Sequence, residues 1–294
     1  MNPPLTRRDA AIGLAAGAAM IIHGNGVHGA EVVSAHEPRR VVSLNPCLDA
    51  ILVQLADRAQ IAALSHYSRD RDSSSIADLA RTFPFTYESA EEVVALLPDL
   101  VLTGRHSSPA TRAALKRLGV RAELFDVPST VEASLAQVVH MAAVIDRPAR
   151  GAELVARIRA AIAAAAPPPG ARALTALVYQ SNGFASAKGT LVDEMMREAG
   201  FINAATRYGL KATGNVPLER LIADPPDVLL AGQPKPGVPT WADRVLTHPA
   251  LRAISGRMHR AVFPQRLMYC GGPVLIETAQ MLAKARSEAL ELRS

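Results

Sequence analysis

Aromatic rings and guanidinium groups carry most of the recognition chemistry legible in this sequence, and the rings are few. Five tyrosines, six phenylalanines and one tryptophan occur among 294 residues. All five tyrosines, Tyr67, Tyr87, Tyr179, Tyr208 and Tyr269, fall in or beside segments that read as loops, and Phe85, Phe184 and Trp241 lie outside the strong helical runs. Arginines stand close by: Arg69 and Arg71 after Tyr67, Arg105 with His106 after a strand ending at Gly104, Arg207 before Tyr208, and Arg266 before Tyr269. A ring presents a flat apolar face, with a polar tip in tyrosine, while guanidinium binds oxygen anions through its planar fork. The combination suits capture of a ligand that is part apolar and part anionic.

Groups that would carry catalysis are not arranged for it. Ser181-Asn182-Gly183 and Gly271-Gly272-Pro273 come nearest to an oxyanion or phosphate cradle, yet neither is a Gly-x-Ser-x-Gly elbow, a Gly-x-Gly-x-x-Gly fingerprint or a P-loop. Asp49 stands near Cys47 with no partner at nucleophile–base spacing. No pair of the eight histidines has the spacing of helix ligands beside a carboxylate, so any metal is expected to arrive already chelated, and no cofactor is expected. Two cysteines exclude a disulfide scaffold or a multi-thiolate metal site. The net charge of +5 arises from 32 basic and 27 acidic residues mixed along the chain, which does not point to nucleic acid.

The elements that must position these groups alternate strand and helix. Val41–Leu44, Ile61–Leu64, Leu100–Thr103 and Ala122–Val127 are short apolar runs, separated by helix-length segments at Cys47–Ala56, Ser89–Leu96 and Ala110–Leu118. That order predicts a parallel sheet covered by helices. From Thr130 to Ala166 the pattern is helical, broken only at Asp146-Arg147-Pro148, with Pro148 suited to the first turn of a second helix. Pro167-Pro168-Pro169-Gly170 ends it. Leu174–Gln180 then reads as a new first strand, and the alternation resumes up to an amphipathic helix from Pro273 to about Leu290.

The N-terminus reads as an export signal. Arg7-Arg8 precedes an apolar stretch, Ala10–Ile22, too short for a hydrocarbon core of about 30 Å. This is the twin-arginine pattern, with cleavage after Ala30 or Ala35, although Ala10 in place of a large apolar residue leaves general secretion open. No lipobox follows, so the product is expected to be soluble and unlipidated.

Residues 91–104 (EEVVALLPDLVLTG) align without gaps on residues 219–232 (ERLIADPPDVLLAG) at a constant offset of 128. Glu91/Glu219, Pro98/Pro226, Asp99/Asp227 and Gly104/Gly232 are among the identical pairs. Each copy reads as a short helix, a Pro-Asp break and a buried strand ending in glycine, which predicts two lobes of like construction.

Several segments taken together resemble a known family from about residue 39 to 285: residues 40–46 (RVVSLNP), 64–68 (LSHYS), 91–102, 118–120 (LGV) and 189–203 (GTLVDEMMREAGFIN). They are similar to the periplasmic binding proteins of ABC importers for ferric siderophores, haem and vitamin B12. The resemblance implies two Rossmann-like α/β lobes joined by a single long helix, with the ligand cleft between them. It divides the chain into an export signal (1–30), an N-terminal lobe (38–147), a connecting helix (148–169) and a C-terminal lobe (170–294). It also implies a monomer in the periplasm that delivers a metal chelate to an inner-membrane permease and its ATPase.

Because ligands of open α/β sheets gather beyond the carboxyl ends of the strands, one wall of the cleft is expected from Tyr67, Arg69, Phe85 and Arg105. The other is expected from Tyr179, Asn182, Phe184, Tyr208 and Tyr269, with Trp241 a further member. Tyr67, Phe85 and Phe184 match places where the vitamin B12-binding relatives set rings against the ligand. The loop arginines favour a ferric siderophore; cobalamin or haem is the alternative, and an exported enzyme acting on such a chelate a lesser one. In the family one surface glutamate on each lobe docks on the permease, and the repeat puts Glu91 and Glu219 at those places. Cys47 and Cys270 are expected as two separate, partly buried thiols at the cleft floor, the alternative being a bond between the lobes.

Overall fold

Strand β1 (Val41–Ser43), whose three residues are all buried, is the middle of the first sheet. The computed structural model describes residues 37–180, 183–232 and 247–292; the expected export signal, Asn182 and Trp241 lie outside them. Around β1 the sheet adds β2 (Ile61–Ser65), β3 (Phe85–Thr86), β4 (Leu100–Gly104) and β5 (Ala122–Phe125) in the order β3-β2-β1-β4-β5. Every pairing is parallel. Covered on both faces, the central strands are continuous apolar runs rather than alternating ones. The intervening helices are α1 (Pro46–Leu55), α2 (Ala77–Ala80), α3 (Ala90–Ala95) and α4 (Pro109–Arg117). Their starts follow sequence chemistry: Asn45 caps α1 by accepting from the Cys47 and Leu48 amides, and Pro46 occupies the first turn.

Helix α5 (Val131–Val144) is capped by Thr130. Asp146, at φ +58°, turns the chain into α6 (Pro148–Ala165). The second sheet follows, with β6 (Leu174–Tyr179), β8 (Phe201–Asn203), β10 (Val228–Ala231) and β11 (His259–Val262) in the order β11-β10-β6-β8, again all parallel. An antiparallel pair, β7 (Phe184–Ser186) and β9 (Thr213–Asn215), stands beside it. Helices α7 (Leu191–Glu198) and α8 (Leu218–Ala223), a short helix Pro249–Ala253 and the C-terminal helix Val274–Glu291 complete the order.

The internal repeat has a structural cause. In the first lobe α3 leads into β4 beside β1; in the second, α8 leads into β10 beside β6. The Asp99 carboxylate accepts the Arg39 and Arg40 amides at 2.7 and 3.0 Å, and Asp227 accepts the amide and hydroxyl of Thr175 at 2.7 and 2.9 Å. Each repeated aspartate therefore fixes the entry of the neighbouring strand.

The two lobes share one apolar core. Helix α6 packs between α5 and the C-terminal helix, and its Leu154, Ile158 and Ile162 join Ile51, Val138, Met141, Leu275 and Leu282 in a cluster that reaches strands of both sheets. The approach of α5 and α6 is close enough that a Cβ at Gly151 would sit 2.4 Å from the Ala142 Cβ. Polar ties accompany it: Val131 donates its amide to Glu194 at 2.7 Å and Gly272 donates to Ser134 Oγ at 2.6 Å.

That seam corrects the expectation of two separate thiols. Cys47, at the start of α1, is bonded to Cys270, with Cα atoms 5.0 Å apart across 223 positions of sequence. Gly271 and Gly272 let the chain press onto the first lobe; a Cβ at Gly271 would meet Ser134 Oγ at 2.3 Å, and one at Gly272 would meet Ile51 at 2.6 Å. The two loops are thus pulled together rather than held apart. Thiol titration of the unfolded, unreduced protein should find no reactive group at either position. The paired Cys47→Ser and Cys270→Ser variant should lose about 2–4 kcal/mol in denaturant titration.

Candidate functional site

Parallel pairing of β2 and β3, with Leu64 opposite Phe85 and Ser65 opposite Thr86, sends two chain segments out side by side at the carboxyl edge of the first sheet. The first is a 3-10 turn, His66–Arg69, entered through Ser65, whose side chain accepts the Tyr67 amide at 3.3 Å. The second is β3 with Tyr87. Their rings converge: His66 and Tyr67 are 3.9 Å apart between centroids, His66 and Tyr87 5.0 Å, and Phe85 meets Tyr87 edge-on at 5.4 Å. Arg69 lies 4.3 Å above the Phe85 ring. Tyr67 is 53% exposed and Tyr87 65%. Rings clustered and left uncovered in this way form an apolar recognition surface.

The structure thus brings together Tyr67, Arg69 and Phe85 and adds His66 and Tyr87, which residue-by-residue reading did not select. Their signal was present: His66 adjoins Tyr67, and Tyr87 is two residues beyond Phe85. What was missing was the pairing of so short a strand as β3.

Beneath this surface lie two carboxyl groups. Asp49, on α1, is completely inaccessible. Its Oδ2 accepts the Ser65 amide at 2.8 Å and the Ser68 hydroxyl at 2.6 Å. Burial pushes its pKa up to about 8; the Ser43 and Ser68 hydroxyls and the Ser65 amide pull it down, and the Glu88 charge pushes it up. Glu88, at φ +70°, accepts a hydrogen bond from the Ser65 hydroxyl. Its pKa is also raised, chiefly by burial, against the Ser65 bond and the His66 charge.

The arginines are differently disposed from the sequence expectation. Arg105 places its Nε and Nη2 on Asp126 at 2.9 and 2.6 Å, Arg71 pairs with Asp78 at 2.7 Å, Arg207 with Asp224 at 3.3 Å, and Arg266 with Glu277. These guanidinium groups already have carboxylate partners. Their number therefore weighs less as a sign of an anionic ligand.

On the second lobe, Tyr179 and Tyr208 do not present open faces. Tyr179 is 1% exposed and Tyr208 6%, both within the core cluster under α8. Tyr179 donates to the Val216 carbonyl at 3.3 Å, and burial together with the Glu219 charge raises its pKa to about 12. Gly183, at φ +78°, closes over it; a Cβ there would lie 2.6 Å from the Val216 carbonyl oxygen. Tyr208 donates to the Asp224 carbonyl at 2.7 Å. Phe184, on β7, is half-buried, while Tyr269, beside the disulfide, is 49% exposed and accepts from Gln265 Nε2. Glu91 and Glu219 are exposed in the first turns of α3 and α8, equivalent places in the two lobes. Among the described residues no group of three His, Cys, Asp or Glu side chains is placed to hold a metal ion.

With this geometry established, a model of a periplasmic binding protein family matches residues 41–263. The chain belongs to the periplasmic binding protein family. Within it, a cobalamin-binding protein of Halobacterium salinarum is 24% identical over 202 residues, 67% of this chain and 54% of the relative; the chain spans about half the length of the curated relatives it matches. Among solved structures, a periplasmic heme-binding protein from Roseiflexus sp. RS-1 in apo form superposes with a TM-score of 0.69 at 24% identity, covering 85% of this chain and 98% of that one. An ABC-type Fe3+-hydroxamate transport system structure from Saccharomonospora viridis superposes at 0.62 with 20% identity, covering 85% and 93%. These superpositions establish the two-lobed periplasmic binding protein fold. No helix among the described residues is long and apolar enough to cross a membrane.

The distinction between open and buried rings is measurable. Tyr208→Phe removes a buried hydrogen bond and should cost about 0.5–1.5 kcal/mol in denaturant titration, leaving ligand affinity unchanged.

Proposed function

We propose that this periplasmic binding protein is the solute-capturing component of an ABC importer, and that its ligand is a tetrapyrrole-type metal chelate, a porphyrin or a corrin. The observation that carries the reading is the cluster of Tyr67, Phe85, Tyr87 and His66 at the carboxyl edge of the first sheet. Ring faces suit the broad apolar surface of a macrocycle, and Arg69, its guanidinium over the Phe85 ring, suits a peripheral carboxylate. A ferric siderophore is the less favoured ligand because Arg71, Arg105, Arg207 and Arg266 are already paired. A carrier rather than an enzyme is supported by the family.

The second wall is assigned to Phe184 and Tyr269, with Asn182 and Trp241 as further members. The chelate arrives with its own metal, and the export signal read at residues 1–30 supports a periplasmic location. Glu91 and Glu219 are the docking pair: exposed, equivalent under the repeat and suited to basic groups of a permease. First-turn placement also favours each acid through the helix dipole, but that explains each glutamate singly and not their equivalence.

Calorimetric titration of the mature protein should detect haemin or cyanocobalamin and not ferric hydroxamates; binding of hydroxamates alone would overturn the tetrapyrrole reading. Tyr67→Ala should weaken binding by about 1–3 kcal/mol, as removal of an anchoring ring does. Reversing Glu91 and Glu219 together to Arg should abolish ligand-dependent transport in cells while leaving affinity intact, and retained transport would remove their docking role.

A further inference from the structure

We propose that Asp49 is the positioning residue of the aromatic wall, its buried carboxyl fastening the turn that carries His66, Tyr67 and Arg69 so that ligand affinity depends on a group the ligand never touches. The inference rests on the reading that this wall receives the ligand.

The geometry is specific. One oxygen of Asp49 accepts from both sides of the turn: the Ser65 amide at its entry and the Ser68 hydroxyl within it. Both serines are fully buried, so neither donor has water as a substitute. Ser65 extends the network by accepting the Tyr67 amide and donating to Glu88. Glu88 is itself tied down: its amide donates to Thr86 Oγ1 at 2.9 Å and its carbonyl accepts from Thr111 at 3.0 Å. The other anchor is α1, held in the core by Leu48, Ile51, Leu52 and Leu55 and at its start by the disulfide. The carboxyl is therefore a fixed point, and the turn with its rings is what it holds.

His66 Nδ1, on the turn itself, is buried without a hydrogen-bond partner. Charge reaches Asp49 from the loop before α3 through Glu88, whose own charge interacts with His66 of the turn; β1 contributes the neutral Ser43. Near neutral pH the carboxyl holds its proton. As pH rises through about 8, ionisation sets a second negative charge beside Glu88 in a dry site. The sign follows: with a folded pKa of about 8 above the ordinary carboxylate value of about 4, the contribution to the ordered network is full only below about 4 and is lost progressively as pH rises to about 8.

The test uses the oxidised, mature protein with haemin and cyanocobalamin as probes, titrated between about pH 6.5 and 9.5. Asp49→Asn, whose side-chain oxygen accepts the same two bonds without ionising, should bind within about threefold of wild type near pH 6.5. Wild type should then lose about tenfold relative to this variant as pH rises to about 8, with no further relative loss above it. Asp49→Ala should lose about tenfold or more throughout, and Ser68→Ala, which removes one bond and leaves α1 intact, should move the same way by less. A ligand-free measurement accompanies these: at fixed pH, hydrogen–deuterium exchange of residues 65–70 should accelerate in Asp49→Ala and Ser68→Ala but not in Asp49→Asn. Equal affinities in all variants, or a wild-type-to-Asn ratio that stays constant with pH, would overturn the proposal. If wild type binds neither probe, the tetrapyrrole reading falls, and exchange alone decides whether Asp49 holds the turn: unchanged exchange in both Ala-substituted proteins would refute it.

Discussion

Burial of α6 between α5 and the C-terminal helix is the constraint on which the rest of the molecule depends. Each parallel sheet needs helices on both faces, and at this seam one set of helices serves both sheets. The apolar cluster that runs through Ile51, Val138, Ile158 and Leu282 makes the two lobes parts of one core. The glycine turn at 271–272 and the Cys47–Cys270 bond belong to the same seam. The helix packed on both sides and the bond at one point tie the lobes through that shared core.

The lobes also show how a sequence repeat records a mechanical need. Pro-Asp recurs because each lobe must fix the entry of its first strand against the strand that follows the repeated helix, and a carboxylate accepting main-chain amides does this where a parallel ladder begins. The glutamates at the other end of the repeat have no such internal work. Glu91 and Glu219 face solvent, which is compatible with the docking role proposed above.

Recognition chemistry divides the molecule unevenly. The first lobe presents a cluster of tilted and edge-on rings beside the buried Asp49 and the half-buried Glu88, whereas the second keeps two of its tyrosines within its own core. Arginine, abundant in the loops, is largely engaged with neighbouring carboxylates. Exposed ion pairs of this sort add little stability.

Local pattern determined most of the architecture. Apolar runs at Val41, Leu100 and Leu174 are strands because strands buried on both faces need continuous apolar sequence; α6 starts at Pro148 because proline fits a first turn; the offset of 128 reported two like lobes because equivalent strands meet equivalent constraints. Tyr67 and Phe85 were legible as loop rings for the same reason. Only tertiary structure decided which rings stay open. Tyr179 and Tyr67 each stand where a strand of a parallel sheet ends, yet the β7–β9 pair and Gly183 close over one, and nothing among the described residues covers the other to the same degree. It decided likewise that Arg105 faces Asp126, that Cys47 reaches Cys270, and that Asp49 sits beneath Ser65 and Ser68. Exposure, charge pairing and bonding across 223 residues are set by which chains pass over one another, and residue spacing along a single chain carries no measure of that.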